Sequence, residues 1–560
     1  MRNTEGIGTV RIKYYLLPFI MSVTIIINGG FFDDSVALTG ILIVIALFAM
    51  LVRGESFYKR DKRIVFAIPY MILAVSVLVS IWSVDYMENL MGVMRLGVLC
   101  LWMYLIRCRS KNEILLAQNS IPMIGSIMVL FACFSLCIPS MSPYFWENKR
   151  LSGFFQYANT SALFFSIGII VLIHHWKEQK KIVFSILQMS FLVAGVLLTG
   201  SRSVLIFMMA WGTYYAVKTP KFRKPFVITV VMLAFLLGVY VIFTGNTQNV
   251  GRIFSSFTSN STLWGRLLYY RDAILLLTKK YYGLGRLGYY YSQGTFQSGV
   301  YHTKFVHNDY LQLALDYGIV TLILLLIFLG WQFYRGRQDR KDKEILFLIC
   351  VMALTDFHCQ YSSVLMMAAL FLDYGEGEKE KRAQIRENYI FFPILLVVLA
   401  YIGIATGSSR KGNQELALSM LPDYTDAQEK KMLSCMGSLE SYQLSTELIK
   451  KNPYNITAYI TRGTFYYSNL YVFECIEDLD RMLELDPYNV TYYAQYDEML
   501  RNMQIQLEND AGQWIDSETE EQYQKILEER MKSLPEQLEA MKERTSSLAY
   551  KIKDKPIFTY

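Results

Sequence analysis

Three stretches carry residue types that could act on an anionic substrate. Thr199-Gly200-Ser201-Arg202-Ser203 joins two apolar blocks, and no acidic residue lies near Arg202 in the sequence to occupy its guanidinium. Leu263 to Asp272 holds Arg266 and Arg271, whose planar guanidinium groups can fork onto phosphate oxygens in a bidentate manner that lysine cannot reproduce. His307-Asn308-Asp309-Tyr310 contains one of only five histidines, and an imidazole can take a proton from an attacking hydroxyl at neutral pH. Each has a plainer reading. Arg202 could reach lipid headgroups, Arg271 could pair with Asp272, and His307 could cap the helix that follows it.

Weaker signals surround them. Asp356 and His358 interrupt an apolar stretch, where charge is costly and therefore a candidate for function. Gly283-Leu284-Gly285-Arg286-Leu287-Gly288 reads as a tight turn, because no strand and helix flank it as a nucleotide fold requires. Tyr269, Tyr270, Tyr281, Tyr282, Tyr289, Tyr290, Tyr291 and Tyr301 suit sugar faces but also suit a membrane interface. Asp478-Leu479-Asp480 imitates a metal-binding DxD, yet it falls within a repeat helix with no nucleotide pocket nearby. Of the eight cysteines most lie in apolar blocks and none forms a CxxC pair, leaving Cys435 and Cys475 as one conceivable bridge. No metal site and no cofactor are expected.

The elements that must position these residues are membrane helices. The 560 residues are 53% hydrophobic and 18% charged, against about a quarter charged in a soluble domain. Apolar blocks at 14–30, 36–52, 64–82, 89–106, 120–139, 158–173, 182–199, 203–217, 225–244, 317–334 and 389–406 approach the length of a spanning helix. The stretch 345–372 reads as two short helices turning near Asp356 to Ser362, for about 12 or 13 crossings with 13 preferred. Lys and Arg concentrate in alternate connections: Arg2, Arg11 and Lys13, then 53–63, 107–113, 174–181, 218–224 and 334–344. That places the N-terminus in the cytoplasm. The connection 245–316 then faces outward, as does the C-terminal region. Residues 407–560 hold 17 Lys and Arg against 26 Asp and Glu, so the overall charge of +7 averages a basic membrane part and an acidic tail. Basic clusters set between apolar blocks do not suit nucleic acid.

In that tail Asn452-Pro453-Tyr454-Asn455 recurs as Asp486-Pro487-Tyr488-Asn489 after 34 residues, the period of tetratricopeptide (TPR) repeats. Tyr459, Gly463, Tyr466, Cys475, Leu479, Met482 and Pro487 fall at the large, small and proline positions of such a helix pair, and 517–548 reads as a charged cap or spacer. The division expected is a membrane domain over 1–406 and a TPR-like helical domain over 407–560 that binds a protein partner. The fold class is all-α, a polytopic membrane bundle followed by a helical repeat.

The membrane part resembles the O-antigen ligase and Wzy-type polymerase family of polytopic glycosyltransferases. That family's histidine motif, His then Asn, Ser or Gln, nine residues and a glycine, is matched by His307, Asn308 and Gly318 in HNDYLQLALDYGIV. Its outer-face Ser-Arg pair corresponds to Ser201-Arg202, and its R-x3-W segment before a glycine turn to Arg266-x3-Tyr270 ahead of Gly283 and Gly285. Tyr270 stands in place of the tryptophan, a tyrosine in place of the proline before Gly283, and Thr321 where a second glycine often follows Gly318. The resemblance implies a GT-C-like fold in the plasma membrane that moves a glycan, without metal, from undecaprenyl pyrophosphate to an acceptor hydroxyl on a glycan or lipid at the outer face. It implies that Arg202 and Arg266 hold the pyrophosphate and His307 activates the acceptor, with Ser201, Asn308, Gly318, Arg271, Asp356 and His358 in support. A secondary transporter fits less well, because no repeated halves are visible, and an anchored interaction protein would need only one helix.

Overall fold

The computed structural model describes residues 14–55, 63–175, 182–220, 223, 261–375, 388–509 and 517–560. The expected span 225–244, loop residues 245–260, the N-terminal Arg2, Arg11 and Lys13, most of the basic connections 53–63 and 174–181, and Lys221, Phe222 and Lys224 of the connection 218–224 lie outside them. The described residues are overwhelmingly helical, and their one sheet is a two-stranded hairpin. Five of the described helices are long and apolar enough to cross a membrane: Asp33–Val52, Tyr86–Arg107, Lys111–Ser135, Ala158–His175 and Tyr389–Arg410. The chain forms two compact units, one of residues 1–71, 94–259 and 324–403, the other of 72–93, 260–323 and 404–560.

In the first unit the helix Ala158–His175 lies at the centre, packed against Lys111–Ser135, Ile182–Thr199 and Arg340–Ala353. Its run of Leu163, Phe164, Phe165 and Ile167 is fully buried, which is why a helix apolar on every side belongs inside a bundle. Lys111–Ser135 starts at a capping box in which Ser110 and Glu113 satisfy each other's backbone N–H. The apolar stretch 345–372 breaks as expected: one helix ends at Ala353 and the next runs Ser362–Leu370. Arg95 holds that break. Its Nε donates to Asp33 Oδ1 at 2.7 Å and its Nη1 to the Gln360 carbonyl at 3.2 Å. Asp33 is therefore an internal ion-pair partner. Near the other end of the bundle Glu344 accepts from His174 Nε2 (3.0 Å), Trp211 Nε1 (3.0 Å) and Arg340 Nε (2.7 Å).

The second unit joins three stretches far apart in sequence. Asp85 accepts from Thr425 Oγ1 at 2.8 Å and from the Glu88 N–H at 3.0 Å. Arg544 donates to the Gly294 carbonyl at 2.9 Å, and Ser546 N–H to that of Ser298 at 2.9 Å. These bonds hold residues near 85, 294–298, 425 and 544–546 together in one folded body. Within that body the helices Ile456–Ser468 and Val472–Leu485 pack as a pair. Gly463 lies against Leu479, and Cys475 Sγ approaches the Gly463 carbonyl at 3.5 Å. Cys435 and Cys475 are both free thiols, so the conceivable bridge does not form. Asp478 is taken by a two-pronged bond from Arg462 (2.8 and 2.6 Å), and Asp480 by Tyr496 OH (2.7 Å), so the DxD imitation is structural. The helix Ser517–Arg544 buries Leu527, Leu534 and Leu538 in the same core.

Candidate active site

In the second unit the histidine loop is built from two helices, Ser261–Lys279 and Asp309–Tyr317. Asn308 caps the latter, its Oδ1 accepting from the N–H groups of Tyr310 and Leu311 at 3.1 Å each. Capping is therefore not the work of His307. His307 instead sits at φ +57°, a left-handed conformation that costs a side-chain-bearing residue about 1–3 kcal/mol. Tyr270 OH holds it there, donating to the His307 carbonyl at 2.6 Å, and the Tyr269 ring lies 6.2 Å from the imidazole. Arg266 precedes both tyrosines by one helical turn and shares their face of the helix. Burial raises the Tyr269 phenol above its usual range, the Asp554 carboxylate adds to the rise and the Arg266 guanidinium opposes it. Arg266 and His307 thus converge on one aromatic pair.

The loop is clasped from below. Val306 N–H donates to Gln312 Oε1 at 3.0 Å, while Gln312 Nε2 donates to Asp316 Oδ1 at 2.9 Å, which fixes the amide's orientation. Burial pushes the Asp316 carboxyl up to about 7, with the Gln312 bond and nearby Arg286 working against the rise. Asn308, Gln312 and Asp316 form a polar stripe at helical spacing on a buried helix, a signal readable in the sequence that the histidine motif alone does not capture.

The two glycine motifs meet. A β-carbon on Gly283 would lie 2.7 Å from the Gly318 nitrogen, and one on Gly318 would lie 2.9 Å from the Tyr282 carbonyl, with φ at +93° and +87°. Leu284 and Gly285 N–H groups donate to the carbonyls of Leu315 (2.7 Å) and Asp316 (2.9 Å). The glycine run is a turn, as its sequence suggests, and its place is against the end of the histidine helix. Arg286, at 2.8 Å from Glu88, ties the same turn to the 80–89 segment.

Arg271 lies about 140° around the helix from Arg266 and bonds Ser298 Oγ at 2.6 Å and Asp272 Oδ1 at 3.3 Å. Asp272 is buried and also accepts from Ser298 N–H (2.8 Å) and Tyr301 OH (3.0 Å). These residues brace the loop behind the site. Among the tyrosines, Tyr289 and Tyr291 are core, whereas Tyr281 and Tyr282 are exposed. A cover comes from the C-terminus: Ala549 and Ile552 pack on Leu268, and Lys551 Nζ lies 4.2 Å over the Trp264 ring.

The first unit holds the other candidates. Ser201 is the N-cap position of the helix Arg202–Lys218 and is 1% exposed. Asp356 accepts from Tyr157 OH (2.9 and 3.0 Å) and Asn159 Nδ2 (2.6 Å). Asn159 Oδ1 in turn accepts from Arg150 Nη2 at 2.8 Å, and Arg150 Nε donates to the Thr199 carbonyl at 2.7 Å. Asp356 is thereby linked to the arginine turn. His358 points elsewhere, its Nδ1 sharing a hydrogen bond with Thr160 Oγ1 at 3.1 Å in a fully buried position. Among the described residues no cluster of His, Cys, Asp and Glu could hold a metal ion.

Residues 187–326 match the family model described as O-antigen ligase. Over that stretch the chain is similar to the O-antigen ligase family. The matched residues include Ser201, Arg202, Arg266, Arg271, His307, Asn308 and Gly318, and stop short of Asp356, His358 and the C-terminal helices. No curated protein and no solved structure matches the chain. That match, together with five described helices long and apolar enough to cross a membrane, supports a membrane enzyme of the glycan-transferring class.

Proposed function

We propose that the protein takes a glycan from an undecaprenyl-pyrophosphate-linked donor and joins it to an acceptor hydroxyl at the outer face of the plasma membrane, without metal, on a GT-C-like scaffold. The observation that carries the reading is the strained His307, gripped by Tyr270 on the helix that bears Arg266. The acceptor oxygen attacks the anomeric carbon as its proton passes to the His307 imidazole. The bond from that carbon to the diphosphate oxygen breaks, and the charge gathering on the diphosphate is met by Arg266 and Arg202. Asn308 and Gly318 support the histidine loop, Arg271 braces it, and Ser201 and Asp356 belong to the arginine turn.

Thirteen crossings with a cytoplasmic N-terminus would put 261–316 and the C-terminal helices outside together, in keeping with their shared folded body. The TPR-like pair around Gly463 would there receive a protein partner. The test is purified protein with lipid-linked oligosaccharide in EDTA. A ladder of products indicates polymerisation and a single transfer indicates ligation. His307→Ala should slow either by about 10²–10⁴-fold. Full turnover by that variant and by Arg202→Ala would sink the assignment.

A further inference from the structure

We propose that Arg150 is a second phosphate-binding guanidinium at the start of the helix Arg202–Lys218, set in place by Asp356 acting through Asn159. This rests on the reading of Arg202 as a diphosphate ligand and adds a residue outside the stretch that matches the family.

Arg150 arrives on a hairpin, Trp146–Glu147 paired with Arg150–Leu151. Its two turn residues, Asn148 and Lys149, both have positive φ (49° and 62°), the backbone that a two-residue hairpin turn demands. The hairpin brings the guanidinium to the end of the helix Ile182–Thr199, where it donates to the Thr199 carbonyl. A cation is favoured at such an end. The orientation is imposed from deeper in the unit. Asp356 is 1% exposed and accepts the Asn159 Nδ2–H, which obliges Asn159 to turn its oxygen toward Arg150. Carboxylate, amide, guanidinium and carbonyl form one directed chain across residues 150, 159, 199 and 356.

The turn beyond Thr199 is shaped for an anion. Gly200 has φ +59°, and the nearest atom to a β-carbon placed there would be Arg150 Nε at 3.9 Å, so the guanidinium lies along the open side of the turn. Ser201 makes no cap bond to the 17-residue helix it precedes. Its Oγ is buried and meets no hydrogen-bond partner among the described residues. An uncapped helix start attracts phosphate by its N–H groups and dipole. Here it comes with an unspent buried hydroxyl, Arg202 as first helical residue and Arg150 beside the turn. The ligand class is a phosphoryl group of a diphosphate, either a polyprenyl diphosphate headgroup or free pyrophosphate.

The experiment uses the full chain in lipid nanodiscs and measures binding of undecaprenyl diphosphate, undecaprenyl monophosphate and inorganic pyrophosphate. Arg150→Ala should weaken diphosphate binding roughly tenfold and lower the preference for diphosphate over monophosphate. Arg150→Lys should restore no more than about a third of the loss, since a point charge cannot hold Thr199 and a phosphate together. Asp356→Asn should give a smaller loss in the same direction with an unchanged unfolding midpoint. Pyrophosphate competing only with the wild type identifies the free anion as a ligand of the same site, and lipid binding without that competition identifies the headgroup. Arg150→Ala binding with wild-type affinity and preference, while Arg202→Ala does not, overturns the role of Arg150 alone. Wild type binding no diphosphate at all overturns the underlying reading instead. Should Arg150→Ala fail to fold, Arg150→Lys and Asp356→Asn carry the same comparison.

Discussion

The turn Thr199 to Arg202 and the loop around His307 each present charge-bearing side chains, yet they are held by different parts of the polypeptide. The turn is set by side chains: a buried carboxylate, an amide and a guanidinium drawn from residues 150, 159 and 356. The histidine loop is set largely by main chain, through the Gly283–Gly318 contact, the Asn308 cap and a carbonyl gripped by Tyr270. Side-chain relays tolerate shape-preserving substitution and fail when a hydrogen-bonding group is removed. Main-chain contacts ignore charge and fail when any atom is added.

That contrast can be broken most forcefully at Gly318. Gly318→Val places branched carbon against the Tyr282 carbonyl at positive φ and should cost about 3 kcal/mol or more, abolishing transfer. An unaltered unfolding temperature would end the main-chain account. Asp356→Ala removes the carboxylate that half-buried Tyr157 and Asn159 share, leaving Asn159 Nδ2 only the Tyr157 oxygen at 3.1 Å among these bonds, for about 1–2 kcal/mol, whereas Asp356→Asn should cost far less. Equal losses from both would refute the relay.

Glu429 sharpens the picture for the C-terminal helices. Burial raises its carboxyl to about 7, Asp426 and Asp85 add to the rise, and Asn455 and Tyr291 oppose it. The native state therefore keeps the proton between the ordinary 4.5 and about 7 while the unfolded chain releases it. This contribution is fully present below pH 4.5 and is lost as pH rises through 7. Unfolding followed from pH 5 to 8 should show a decline of about 2 kcal/mol from this group, flattened in Glu429→Gln. An undiminished slope in the variant would assign the decline to other groups. Tyr270→Phe, the smallest change, should slow transfer about tenfold at unchanged KM. Tyr270→Trp should recover part of it, because an indole N–H can also reach a carbonyl. Loss of binding rather than rate would mean that Tyr270 serves the substrate and not His307.

Helix class, the break near Asp356 and the histidine motif were legible because they depend on local composition and short spacing. The polar stripe of Asn308, Gln312 and Asp316 was also legible in principle. Pairings set by tertiary proximity were concealed. Arg95 meets Asp33 and Gln360, Asp85 meets Thr425, and Arg150 meets Thr199, at separations that no periodicity encodes. The positive φ of His307 was hidden for a related reason: histidine has no intrinsic need for it, and the surrounding contacts impose it.

The packing of Ala549 and Ile552 onto Leu268 has a temporal side. The ribosome finishes the helix bearing Arg266 nearly three hundred residues before the residues that cover it. Until residue 552 has been made, Leu268 lacks this cover. The packing of the helix that bears Arg266 is thus completed by residues translated long after it.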